Sequence, residues 1–145
     1  MDLTNKINKK KIFFNLKKVY IKDISFEAPN TPKIYNEKWN PKTLYNVNII
    51  NNDVEDNLFE IILQISLKVI INSKLVFLCE VHQAGLFFCK NIPQHKMLFF
   101  LRVQFPHILF PYARECVSNL ICRSGFPQLN LDPINFEKLY KNLKN

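Results

Sequence analysis

Leu58-Phe-Glu-Ile-Ile-Leu-Gln-Ile-Ser-Leu-Lys-Val-Ile-Ile71 alternates along its whole length. Phe59, Ile61, Leu63, Ile65, Leu67, Val69 and Ile71 line one face, while Glu60, Gln64, Ser66 and Lys68 share the other with Ile62 and Ile70. A period of two with one wholly apolar face is a β-strand against a core. Asn72-Ser73-Lys74 is a short turn, so the next strand pairs antiparallel with this one. That strand runs from Leu75 to about Phe88, with Phe77, Cys79, Val81 and Gln83 on one face and Leu78, Glu80 and His82 on the other. Apolar residues on both faces imply cover on both. One layer of helices covers only one, so the other is expected to meet another subunit.

Two more strands precede this hairpin. Leu44 to Ile50 is one, closed by a polar turn through Asn51, Asn52 and Asp53. Val19 to Glu27 is the other. Its strict alternation groups Tyr20 with Ile24 and Phe26, and Val19 and Ile21 with Asp23, Ser25 and Glu27. Asp23 and Glu27 thus share a side, which in most strands is simply a solvated sheet face. Between the two strands, residues 28–42 form a loop punctuated by Pro29, Pro32 and Pro41 and holding the only tryptophan, Trp39.

Helices follow the strands. Pro93 opens a helical segment whose turn from Met97 to Leu101 is apolar all round, and Pro106 is expected to break or kink it. In the next helix Ala113, Cys116, Val117, Leu120 and Ile121 make one stripe, with Pro111 in the first turn and Gly125 as a left-handed stop. Phe126-Pro-Gln-Leu-Asn-Leu131 then keeps three large apolar residues in a loop. Loops shed such residues unless a neighbouring chain or a ligand covers them. Asp132-Pro133 reads as a cap and first turn for a short last helix with Phe136, Leu139, Tyr140 and Leu143 on one stripe. Strands followed by helices give an α+β two-layer domain, a four-stranded antiparallel sheet with C-terminal helices packed on one face.

Composition limits the function. The chain of 145 residues is one domain, and no apolar run approaches the ~18 residues of a membrane span. Ile12-Phe13-Phe14 is too short for a signal-peptide core, so the chain is expected in the cytosol. The net charge is +8, but residues 1–22 alone carry seven lysines against one aspartate, and residues 23–115 balance. Residues 1–15 read as a disordered basic arm and 16–145 as the folded domain. The four cysteines form no Cys-x-x-Cys pair and the three histidines show no ligand spacing, which points to separate buried thiols and no metal. Two glycines cannot build a phosphate-binding loop, and Cys79 and His82 alternate to opposite faces of their strand. An enzyme is not expected.

Four runs carry a resemblance: Ile21-Lys-Asp-Ile-Ser-Phe-Glu-Ala-Pro29, Phe77-Leu-Cys-Glu-Val81, Ile108-Leu-Phe-Pro-Tyr-Ala-Arg-Glu-Cys-Val117 and Phe126-Pro-Gln-Leu-Asn-Leu131. In order and without large gaps, residues 19–143 resemble SecB, the bacterial protein-export chaperone. The resemblance implies a dimer of dimers that holds precursor proteins unfolded, uses no nucleotide or other cofactor, and passes its clients to the SecA ATPase. It assigns SecA contact to Asp23, Glu27, Leu78 and Glu80, and the joining of the two dimers to Cys79, Val81 and Gln83. It places a client groove at Trp39, Phe126, Leu129, Leu131 and Tyr140. The chain departs from the family in its basic pI of about 9.4 and in Ala84-Gly85 where a glycine pair is usual, and the family's acidic tail is expected to be missing after Asn145.

Two other readings compete. The lysine arm with Phe13, Phe14 and Tyr20 is the pattern of a nucleic-acid binder, though the neutral body argues against it. Alternatively the chain is a structural oligomer whose 126–132 loop is covered by its own residues.

Overall fold

A computed structural model describes residues 11–144, the side chains of 143 and 144 excepted. The strands are β1 (Phe13–Glu27), β2 (Lys42–Glu55), β3 (Leu58–Ile71) and β4 (Lys74–Lys90). They form one antiparallel sheet in the order β1-β4-β3-β2, so the proline loop carries the chain from one edge to the other. The β3–β4 hairpin turns on Asn72 and Ser73, both at positive φ (48° and 64°), the geometry that matches strand twist in a two-residue turn. β1 begins six residues before the alternation suggested. Phe13, Phe14 and Asn15 therefore belong to the sheet and not to an arm, while residues 1–10 of the expected arm lie outside the described residues.

Two bulges set the faces of β1. Lys17 and Lys22 are each an extra residue opposite β4, between the pairs Leu16–Phe87 and Lys18–Leu86, and between Ile21–Gln83 and Asp23–His82. Each bulge reverses the alternation. The expected grouping is corrected accordingly: Tyr20 shares a face with Asp23, Ser25 and Glu27, and Val19 and Ile21 share the other with Ile24 and Phe26. Plain periodicity has no signal for an inserted residue.

One face is covered by helices of the same chain. Helix α1 (Gln94–Phe99), a π-helical stretch (Phe100–Gln104) and helix α2 (Phe105–Arg123) run on without a break. Pro106 therefore does not break the helix; its missing amide is accommodated at the start of α2, where the preceding turn widens to π geometry. Pro111 lies inside α2 and not in its first turn, at an exposed position, and has no amide to bond the His107 carbonyl. Phe105, Leu109, Ala113, Val117 and Ile121 recur every fourth residue, fully buried against β3 and β4. Gly125, at φ 82°, ends the helix in a left-handed turn, with its amide donating to the Cys122 carbonyl. Helix α3 (Phe136–Lys144) is capped by Asn135, whose Oδ1 accepts the Lys138 amide at 3.0 Å, in place of the expected Asp132. Phe136 anchors it edge-on against Phe110 and His107; Leu143 lies in the helix, but its side chain is outside the described ones.

The other face of the sheet, with Tyr20, Glu60, Ile62, Glu80 and His82, carries no helix among the described residues. Cys79, Val81 and Gln83 lie on the helix side and are 1, 0 and 3% exposed. In the protomer they are packed beneath α2 of their own chain.

Candidate functional site

The first candidate surface is on the open face. The pairs Asp23–His82, Ser25–Glu80 and Glu27–Leu78 lie directly opposite across β1 and β4. Opposite residues of an antiparallel pair share a face. Asp23, Glu27, Leu78 and Glu80 therefore form one continuous patch, with three exposed carboxylates around a half-buried leucine. Among the described residues no lysine or arginine forms a salt bridge with any of the three acids. His82 Nε2 is 3.6 Å from Glu80 Oε1 and is buried without a hydrogen-bond partner. The patch can receive a basic, partly apolar segment.

A second cluster adjoins it. Glu60, on β3 between Asn52 and Leu86, is nine-tenths buried on the open face. Its carboxylate accepts from Lys22 Nζ at 2.8 and 2.9 Å, from Asn52 Nδ2 at 3.0 Å and from the Tyr20 hydroxyl. The Lys22 and Tyr20 hydrogen bonds hold the Glu60 carboxyl down at about 2, against the opposing effect of burial. Tyr20 is pushed up to about 12, by burial first and by Glu60 second, and stays a donor. Ala84, the β4 partner of Tyr20, leaves the ring room to reach across to β3.

The third feature is a furrow along the helix side of β2. Tyr45 and Val47 form one wall; Leu129, Leu131, Ile134 and Leu139 form the other. Partial burial, then the nearby Asp132 carboxylate, push the Tyr45 phenol up to about 12. Of the five expected groove residues, the structure brings Leu129 and Leu131 to this furrow. Trp39 and Phe126 are stacked at 6.3 Å elsewhere, and Phe126 also meets Tyr35 at 5.2 Å and Phe77 at 5.3 Å. Phe126 at 7% and Leu131 at 9% exposure are both internal packing, so self-cover holds for these two and leaves Leu129 half-buried. Tyr140 packs edge-on against Phe99 at 6.1 Å. Sequence reading missed Tyr45, Val47, Ile134 and Leu139. The signal was present in Tyr45 and Val47, which alternate onto one face of an edge strand.

Two other readings of side chains change. Phe14 packs edge-on against Phe100 and Phe105, Phe13 meets Phe88, and Tyr20 bonds Glu60. The aromatics offered for nucleic-acid stacking are thus engaged in the sheet. Cys79 and Cys89 are buried thiols, pushed up by burial to about 12 and about 11, whereas Cys116 is half-buried and Cys122 exposed.

Comparison with known proteins agrees with this architecture. Residues 7–145 match the family model described as preprotein translocase subunit SecB. The protein-export protein SecB of Buchnera aphidicola subsp. Acyrthosiphon pisum (strain APS) is 47% identical over 132 residues, covering 91% of this chain and 93% of that one. The protein of the same name from Buchnera aphidicola subsp. Schizaphis graminum is 45% identical over 136 residues, covering 93% and 88%. Among solved structures, the Mycobacterium tuberculosis Rv1957 SecB-like chaperone, in complex with a ChAD peptide from the Rv1956 HigA1 antitoxin, superposes with a TM-score of 0.70. It is 15% identical, with 83% of this chain and 90% of that one covered, and so speaks for the fold. Near-complete coverage at nearly half identity, on a sheet and helix layer of the same shape, places this chain in the SecB family of protein-export chaperones.

Proposed function

We propose that this chain is an ATP-independent holdase of the cytoplasm, which keeps secretory precursors unfolded and hands them to SecA. The observation that carries the reading is the furrow along β2, an apolar-walled trough beside the edge strand. Unfolded chains expose apolar side chains in extended form, and a protein that binds only those pulls the folding equilibrium toward them. The mycobacterial SecB-like chaperone, which has the same fold, is itself seen in complex with a peptide from an antitoxin. The acid patch of Asp23, Glu27 and Glu80 around Leu78 fits a basic tail of SecA, which it would steer electrostatically. Assembly as a dimer of dimers is supported by Ile21 and Ile24, which remain 41 and 43% exposed on the helix side of β1. Cys79, Val81 and Gln83 would act on that interface through α2, which they support.

The test is aggregation of a slow-refolding client, followed by light scattering, with and without this protein. Suppression at about one tetramer per client, reduced by Leu139→Lys in the furrow, is the expected result. A monomer that leaves aggregation unchanged would refute the reading.

A further inference from the structure

The acids of the open face depend on the bulge that precedes them. In a regular strand Asp23 and Tyr20 point to opposite faces, because their positions differ by three, an odd step. Here both lie on the open face, because Lys22 is the inserted residue between Ile21–Gln83 and Asp23–His82. The core fixes that phase after the bulge, where Phe26 stacks on Phe77 at 5.1 Å; before it, Phe14 packs on Phe105 at 5.4 Å beyond the other bulge at Lys17. What is left free is the bulged residue and its neighbour.

Both faces of the sheet hold this bulge. From the helix side, Gln83 Nε2 donates to the Tyr20 carbonyl at 3.1 Å. From the open side, Lys22 reaches across β4 to both oxygens of Glu60, and Tyr20 donates to the same carboxylate. Asp23 follows at once, with its Oδ1 accepting the Ile24 amide at 3.0 Å. Glu60 is the one acid of the open face that is buried and fully engaged, and it lies two strands away from β1.

We infer that Glu60 is a positioning residue for partner docking: through Lys22 and Tyr20 it fixes the β1 bulge and so the direction in which Asp23 presents its carboxylate. This rests on the proposed docking of SecA at the acid patch. Glu60 touches no docked partner; it acts through Asp23.

A double-mutant cycle separates this role from general stabilisation. The immobilised probe is the basic C-terminal tail of SecA, and the proteins are full chains: wild type, Glu60→Gln, Asp23→Asn, the two together, and Glu80→Lys. Glu60→Gln is expected to weaken capture about fivefold in the wild-type background and to have no further effect in Asp23→Asn. Lys22→Met, which leaves the Tyr20 and Asn52 bonds to Glu60 in place, should show the same pattern at smaller size. Amide exchange should quicken at residues 22–24 in both variants and stay unchanged in α2. Wild-type capture with Glu60→Gln equally tight, or equally weakened in both backgrounds, overturns the positioning role. If wild type is not captured at all, or Glu80→Lys is captured equally, the docking reading falls and takes this inference with it.

Discussion

A Cβ placed on Gly85 would lie 2.7 Å from Leu109 Cδ2, so the helix layer seats on the sheet at a point where β4 has no side chain. Phe87 Cε2 at 3.0 Å and Leu16 Cδ1 at 3.2 Å close the same spot from β4 and β1. Leu109 could give way alone, but three groups on three elements cannot all do so in a dense core. Gly85→Ala should therefore cost about 1–3 kcal/mol in urea unfolding. Ala84 points to the open face beneath Tyr20, so Ala84→Gly should cost less, about 0.5–1 kcal/mol. Equal midpoints for wild type and Gly85→Ala would contradict this packing.

Phe126 and Leu129 are three residues apart and should separate folding from client binding. Phe126 is buried among Tyr35, Trp39 and Phe77, so Phe126→Ala is expected to cost about 3–5 kcal/mol. Trp39, the only tryptophan, would report it through its emission. Leu129 is half-buried in the furrow wall, and Leu129→Ala should cost below about 1.5 kcal/mol while weakening aggregation suppression. If Phe126→Ala leaves stability intact, the ring is not core packing among Tyr35, Trp39 and Phe77.

The strands were legible wherever one face was apolar throughout. Phe59 to Ile71 reads directly as β3, and the Asn72-Ser73 turn fixes the hairpin. The faces of β1 were not legible, because Lys22 enters as an extra residue and looks like any other lysine. Nor was the path through Pro106, since a widened helical turn leaves no mark in the sequence. For the candidate surfaces the outcome divides by physics. Asp23, Glu27, Leu78 and Glu80 meet because the register of β1 and β4 carries them to one face. Trp39, Phe126 and Tyr140 do not share a groove, because a large apolar side chain in a loop serves the protomer's own core as readily as a ligand. Tyr45 and Val47 went unnoticed because a half-apolar edge strand resembles any other.

Cys79, Val81 and Gln83 support α2 from beneath, whereas Glu80 between them points to the opposite face. Val81→Ala should therefore lower protomer stability, by roughly 1–3 kcal/mol, together with any loss of assembly. Glu80→Lys, at a side chain 49% exposed, should change stability by less than about 0.5 kcal/mol. Chemical denaturation beside sedimentation velocity checks both. A Val81→Ala protein that dissociates at unchanged stability would show the residue to be a direct interface contact.

Glu60 makes part of the stability depend on acid. Its carboxyl sits at about 2 in the folded chain, held there by the Lys22 and Tyr20 hydrogen bonds, against an ordinary 4.5. A folded value below the unfolded one adds stability that is complete above pH ~4.5 and disappears as pH falls toward ~2. Lys22 is 47% exposed, so solvent screens the pair and the contribution is about 1–2 kcal/mol. Tyr20, raised to about 12, does not titrate in this window and donates throughout. Glu60→Gln keeps the shape but cannot ionise. Urea unfolding should separate wild type from Glu60→Gln by that amount at pH 7, and the gap should narrow steadily between pH 4.5 and pH 2. A gap of constant size across this range would mean that the carboxylate is not held ionised by Lys22 and Tyr20.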